Sequence, residues 1–297
     1  MSDLRKVLIT GGAGKLARAL IQTCPEGIGV EGMDRHRLNI LDPEKVRTAL
    51  FSARPNLVIN CASFNAVDRA ETDEGREAAI DSNSVGVQVL AGVCAEYGVR
   101  VLHFSSDYVF DGDKGFPYHE GDPPNPVNFY GRTKLEGERA VIRASSKNFV
   151  VRVCRLFTPL APGEFQGEGP VTGNFPLLML RLARKNGRVR VVNDQVGSPS
   201  YTPDVARGVW ELVRHVSGGL YHISNEGECD FASWTRELFE LAGVDCPIES
   251  VSSAEYGAAA RRPLYTTFEN QKAYDAGVTP LRHWREAMAE MLASSRA

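Results

Sequence analysis

Hydrophobic and polar positions fall into two alternating kinds of stretch along the first half of the chain. Short runs dense in Val, Ile and Leu occur at KVLIT (6–10), GIGVEGMD (27–34), NLVINCA (56–62), VRVLHFSS (99–106) and NFVVRVCRL (148–156), and each reads as a buried strand. Between them lie stretches of helical period. One runs through Leu16–Ile21. The next starts with Asp42 as N-cap and Pro43 in its first turn, and runs through Val46 to Phe51. The others cover 83–97 and GRTKLEGERAVIRAS (131–145). Strands without polar alternation, separated by helices, indicate a parallel sheet covered on both faces. The pattern therefore predicts an α/β chain with a doubly wound, Rossmann-like sheet.

The second half changes character. APGEFQGEGPVTG (161–173) is rich in Gly and Pro and has no period, so it reads as a loop. After it come a helix PLLMLRLARKNG closed by Gly187, a strand RVRVVND (188–194), a helix opened by Thr202-Pro203 and a strand GLYHIS (219–224). In FASWTRELFELAG (231–243), Phe231, Trp234, Leu238 and Leu241 fall at helical spacing and are expected in the core. TPLRHWREAMAEML (279–292) is expected to close the chain as a helix. The expected division is a dinucleotide-binding unit, 1–153 with 189–224 returning to it, and a smaller substrate-binding lobe, 154–188 and 225–297.

Composition narrows the class. The 297 residues carry 34 Lys+Arg against 37 Asp+Glu, so no basic excess points to nucleic acid. The longest uninterrupted apolar runs are too short to span a bilayer, and no signal-like segment precedes the first strand. A cytoplasmic protein without a membrane or nucleic-acid partner is expected. Six cysteines are scattered with no CxxC pair and no histidine at ligand spacing. They are expected to be reduced and structural, and no metal is implied.

Candidate chemistry begins at Thr10-Gly11-Gly12-Ala13-Gly14-Lys15-Leu16-Ala17, between the first strand and the first helix. Gly11 allows a tight turn, and Gly14 allows close approach of a pyrophosphate to the helix N-terminus, where free N–H groups favour anions. Asp34 ends the second strand, where a carboxylate can accept from an adenosine ribose. Arg35 and Arg37 follow, and an arginine there suits a 2′-phosphate. The choice between NAD(H) and NADP(H) stays open. Further along, Ser106 ends the fourth strand, and Tyr130 and Lys134 form a YxxxK pair. Residues i and i+4 share a helix face, so Lys134 is expected beside the Tyr130 hydroxyl, lowering its pKa for proton exchange with an oxygen held by Ser106.

These residues, with RPNLVINCASFNAVDRAE, SSDYVFDGDKGFPYHEGDPPNPVNFYGRTKLEGE and VVNDQVGSPSYTPDVA, resemble the extended short-chain dehydrogenase/reductases, and among them the dTDP-4-dehydrorhamnose reductase family. The resemblance spans nearly the whole chain. It implies reduction of a 4-keto-6-deoxy sugar nucleotide by NADP(H) or NAD(H), as in the last step of dTDP-L-rhamnose formation. Carried over by position, Tyr130 is the acid, Lys134 tunes it, Ser106 orients the keto oxygen and Asn83 supports a proton relay. Gly11, Gly14, Lys15, Leu16, Asp34, Arg35, Asn39, Ile40, Asn60, Cys61, Ala62 and Ser63 are implied to line the cofactor cleft. Asp107, Arg155, Asn174-Phe175, Gln195 and Arg262 are implied to meet the nucleotide sugar, the Arg262 guanidinium suiting a diphosphate. A homodimer is compatible with the resemblance.

Departures bear on the substrate. Arg155 stands where the family commonly has a tryptophan, Asn39 replaces an acidic residue, and Leu264-Tyr265-Thr266-Thr267 replaces a Ser/Asn-rich stretch. The 161–173 segment is long and suggests a lid. Two alternatives accompany the reading: another sugar-nucleotide reductase, epimerase or dehydratase, and a non-catalytic dinucleotide-binding regulatory subunit resembling the methionine adenosyltransferase β subunit.

Overall fold

The five apolar runs form strands, as their lack of polar alternation requires. The computed structural model describes residues 4–161, 164, 171 and 173–294; most of the segment expected as a lid lies outside them. The first half contains β1 (Lys6–Thr10), α1 (Lys15–Gln22), β2 (Gly29–Met33), α2 (Pro43–Ala53), β3 (Leu57–Asn60), α3 (Asp73–Ile80), α4 (Gly86–Glu96), β4 (Arg100–Ser106), α5 (Phe129–Ala144) and β5 (Phe149–Val153). The second half adds β6 (Leu156–Phe157), α6 (Phe175–Asn186), β7 (Val189–Val192), β8 (Val196–Gly197), β9 (Ser200–Tyr201), α7 (Thr202–His215) and β10 (Gly219–His222). It ends with β11 (Cys229–Asp230), α8 (Phe231–Ala242), β12 (Ile248–Val251), α9 (Ser253–Tyr256), α10 (Gln271–Asp275) and α11 (Trp284–Ser294).

Six parallel strands pair in the order β10-β5-β4-β3-β1-β2. The order reverses at β1, which pairs with both β2 and β3, and a crevice opens at such a switch point beyond the carboxyl ends of the strands. One face of the sheet is covered by α1 and α7 through Leu16, Leu20, Val205 and Trp210. The other is covered by α2, α4 and α5 through Val46, Leu50, Leu90 and Val141. A separate core under Phe157, Leu180, Trp234, Leu238, Trp284 and Met288 holds α6, α8 and α11 together. That second core makes the lobe.

Several boundaries differ from the sequence pattern. The helix expected from Asn83 begins at Asp73, capped by the Thr72 hydroxyl, and passes through a π turn at Asp81–Val85. By length and composition alone Asp73–Glu96 would suffice to cross a membrane, but Val87, Leu90, Ala91 and Cys94 are buried in the core beneath it. The fifth strand stops at Val153, because Arg155 turns the chain at φ +45°. Within 189–224, α7 and β10 lie with the central sheet, whereas β7 pairs with β12 of the lobe. The last helix starts at Trp284 instead of Thr279. Leu241 is exposed and Phe231 only partly buried, so α8 sends Trp234 and Leu238 into the core and leaves Phe231 at a pocket wall.

Candidate active site

The cofactor side of the crevice is shaped by backbone. Gly11 sits at φ +63°, and a Cβ there would lie 2.8 Å from the Ala62 nitrogen, so only glycine lets β1 turn this close to the β3 loop. Gly14 is the N-cap of α1, in extended conformation with no side chain to cover the first-turn N–H groups. The cleft beyond this turn is lined by Gly11, Gly14, Asp34, Arg35, Asn39, Ile40, Cys61, Ala62 and Ser63. A contiguous cavity of about 520 Å³ carries Lys15, Leu16, Asn60, Ser63, Ser106, Asp107, Tyr130, Lys134 and Arg155. A glycine turn, an uncapped helix start and a long crevice fit a dinucleotide.

At the ribose end, Asp34 Oδ1 accepts from the His36 and Arg37 backbone nitrogens, and those bonds hold its carboxyl below its usual pKa. Arg37 pairs with Glu31 at 2.5 Å, and Arg35 is the arginine that lines the cleft. Asn39 caps its own turn, accepting from the Leu41 nitrogen.

The reaction centre forms where β4 ends. Ser106 donates to Asp107 Oδ1 at 2.8 Å and accepts from the Tyr108 nitrogen at 3.2 Å. Asp107 is buried and accepts through Oδ2 from the Thr266 hydroxyl at 2.8 Å and from the Cys154 thiol at 3.3 Å. Burial raises its pKa, opposed by these bonds and by the Arg155 charge. Tyr130 projects from the first turn of α5, whose Gly131 is obligatory because a Cβ there would fall 2.1 Å from the Tyr108 carbonyl oxygen. The Tyr130 hydroxyl reaches Asn65 Oδ1 at 3.4 Å, and its ring meets Tyr108 edge-on.

The expected Lys134–Tyr130 partnership takes a different form. The Lys134 ammonium donates to the Phe104 carbonyl at 2.6 Å and to Ser63 Oγ at 3.5 Å, and burial lowers its pKa to about 8. Burial raises the Tyr130 phenol, Asp107 adds to the shift and a Ser106 hydrogen bond opposes it. The shared helix face thus brings both residues to one cavity, while a strand carbonyl holds the lysine. Asn83 is neither on the surface nor a cap. In the π turn it is fully buried, accepting from Ser63 Oγ and the Phe64 nitrogen and donating to the Phe64 carbonyl and Thr133 Oγ1. It braces the loop that carries Ser63 and Asn65.

On the lobe side, Arg155 lays its guanidinium 4.1 Å over the Phe231 ring and donates to the Cys229 carbonyl at 2.8 Å. Asn174 is buried, and its Oδ1 has no hydrogen-bond partner among the described residues, at the wall of a pocket shared with Ser106, Tyr130, Arg155 and Phe231. A second pocket of about 530 Å³ holds Gln195, whose amide donates to Ser253 Oγ. Arg262 lines both pockets, yet its guanidinium is already paired with Asp68 at 2.7 and 3.0 Å.

Comparison with known proteins gives the same architecture a lineage. The family model described as the RmlD substrate binding domain matches residues 5–297. A dTDP-4-dehydrorhamnose reductase of Mycolicibacterium smegmatis is 37% identical, covering 98% of this chain and 86% of that protein. The chain belongs to the dTDP-4-dehydrorhamnose reductase family. A dTDP-4-keto-6-deoxy-D-glucose reductase of Streptomyces niveus is 36% identical over 95% of both proteins. The crystal structure of the dTDP-4-dehydrorhamnose reductase from Bacillus anthracis in complex with NADP superposes with TM-score 0.89 at 30% identity, covering 98% of this chain and 99% of that one.

Against this family background, the residues that sequence reasoning missed are the ones contributed from a distance. Asn65, Cys154, Thr266, Phe231 and Asp68 reach the site through contacts across 47 to 194 positions of sequence, such as Thr266 with Asp107 and Asp68 with Arg262. Asn65 and Asp68 lie within a quoted family motif, which is the available signal, whereas Thr266 lies in the 264–267 stretch that departs from the family pattern.

Proposed function

We propose that the chain reduces the 4-keto group of a dTDP-linked 4-keto-6-deoxyhexose to the alcohol, with NADPH or NADH as hydride donor. The observation that carries this is one cavity lined both by the glycine turn, through Ala13–Leu16, and by Ser106, Tyr130 and Lys134. Reductases at 36–37% identity support catalysis over a purely regulatory role. In this reading residues 4–153 with α7 and β10 hold the cofactor, the lobe holds the nucleotide sugar, and the enzyme works in the cytoplasm.

A bound nicotinamide supplies the hydride. Tyr130 donates its hydroxyl proton to the oxygen that gains negative charge, a task suited to a phenol that burial keeps protonated. Ser106 orients that oxygen, and a keto oxygen accepting its proton competes with Asp107 Oδ1. Lys134, anchored on the Phe104 carbonyl, presents positive charge to the cofactor side of the cavity. Asn83 and Ser63 fix the loop opposite. Arg155 on Phe231 forms the shelf facing the hexose, and Asn174 offers it an acceptor.

The test is oxidation of NADPH, and separately NADH, with dTDP-4-keto-6-deoxyhexose generated in situ, with and without a 3,5-epimerase. Turnover that requires the epimerase gives a rhamnose-type enzyme; turnover without it gives a reductase of the unepimerised sugar. No turnover in either mixture, with cofactor bound, overturns the proposal.

A further inference from the structure

Two pockets meet at the mouth of the lobe. One reaches the reaction centre through Ser106 and Tyr130; the other runs outward past Gln195, Ser253 and Tyr256. Phe175, Leu178, Phe231 and Arg262 line both, and Arg262 is the charged residue among these four. A nucleotide sugar that sets its hexose at Ser106 and its base in the outer pocket must pass its diphosphate through this junction, so Arg262 faces it.

The guanidinium is not loose there. Its Nη1–Nη2 edge is taken end-on by Asp68, with Nη1 donating to Oδ1 at 3.0 Å and Nη2 to Oδ2 at 2.7 Å, while Nη1 also donates to the Ala260 carbonyl at 2.9 Å. A planar guanidinium has a second donor edge, Nε with the other Nη2 hydrogen, and holding the first edge fixes the direction of the second. Tyr108 lines the inner pocket together with Arg262 and acts electrostatically on the guanidinium. Asp68 also seats the turn that carries the arginine, accepting from the Ala260 nitrogen at 3.0 Å, and Asn128 donates to the Arg261 carbonyl beside it at 2.9 Å. Asp68 follows β3 and Asn128 caps α5, so both belong to the sheet layer, whereas Arg262 belongs to the lobe.

We propose that Asp68 is a positioning residue for substrate: across the junction of the two layers it clamps one edge of Arg262 so that the other receives the diphosphate of the nucleotide sugar. This rests on the nucleotide-sugar reading above. The pairing makes the diphosphate site depend on a loop whose other residues, Ala62, Ser63 and Asn65, line the cofactor cleft.

The test uses dTDP as probe, by calorimetry on the whole chain, beside steady-state kinetics. Asp68→Asn is expected to weaken dTDP binding and raise KM for the sugar nucleotide about tenfold, with kcat changed less than threefold and NADPH affinity unaltered. Asp68→Glu is expected to recover most of the loss. Arg262→Lys, which keeps charge but not the fork, is expected to weaken dTDP similarly, and the Asp68→Asn/Arg262→Lys pair to be no worse than the poorer single variant. Unchanged or tighter dTDP binding by Asp68→Asn overturns the clamp alone. Parallel loss of NADPH and dTDP affinity makes Asp68 a general structural residue and also overturns it. Failure of the unaltered chain to bind dTDP overturns the nucleotide-sugar reading, and the clamp with it.

Discussion

On the sheet side of the cleft, Asn83, Asn60 and Ser63 have their polar atoms taken up by neighbours. Asn83 makes four hydrogen bonds, and Asn60 accepts from Thr10 and the Ala62 nitrogen while bonding His103. On the lobe side, among the described residues, Asn174 keeps a buried oxygen without a partner and Arg155 stands at φ +45° over an aromatic ring, while at the seam Asp107 is a buried carboxyl ringed by donors from both sides, Ser106, Cys154 and Thr266. A wall made of adjacent strand ends satisfies most of its polar atoms through the sheet, with His103 Nε2 and Ser105 Oγ left over among the described residues. A wall assembled between two cores retains charge and strain, which are common where ligands bind.

The largest effect tests whether the two walls meet in one reaction. Tyr130→Phe is expected to lower kcat by about 10²–10⁴-fold, the usual worth of a positioned acid, with NADPH binding by fluorescence unchanged. Retention of most activity would remove Tyr130 from its role. Next, Arg155→Ala is expected to raise KM for the sugar nucleotide about tenfold, roughly the worth of a desolvated cation over a ring with one hydrogen bond. KM for NADPH should not move, and an equal rise in both would dissolve the distinction between the walls.

Lys134 on the sheet wall and Asp107 at the seam should also carry opposite pH signatures in stability. Lys134 is lowered to about 8 from the ordinary lysine value of 10.5, so between these values the unfolded chain holds a proton that the folded chain has released. Stability conferred by this group therefore rises with pH from about 8 and is absent below it. Asp107 is raised, so the folded chain holds the extra proton, and its contribution falls as pH climbs from the ordinary aspartate value of 3.8. Urea midpoints against pH, compared with Lys134→Met and Asp107→Asn, read each slope by difference. A slope that survives its substitution assigns it elsewhere.

The smallest effect sharpens the point about strain. Arg54 shares the left-handed conformation of Arg155, at φ +47°, but it merely ends α2 at the surface. Arg54→Gly is expected to raise stability by about 0.5–1 kcal/mol, measured by thermal melting, because glycine reaches that conformation without strain. Arg155→Gly should not show a comparable gain, since it also loses the Phe231 and Cys229 contacts.

Much of this was written locally. The apolar runs, the Asp42 cap, the Gly187 stop, the glycine turn and the YxxxK spacing each depend on residues within a few positions of one another, so the parallel sheet and the place of Gly11, Ser106, Tyr130 and Lys134 follow from the chain itself. Which atoms those side chains meet does not. Lys134 turned to the Phe104 carbonyl because a strand thirty residues away ends beneath it, and the π turn buried Asn83 because α5 packs there. Arg262 found Asp68 across 194 residues, and Asp107 found Thr266 across 159. Hydrophobic period and turn chemistry act over a few bonds. Pairing of charges and buried polar atoms is decided by which surfaces the two cores bring together, and only the tertiary structure holds that information.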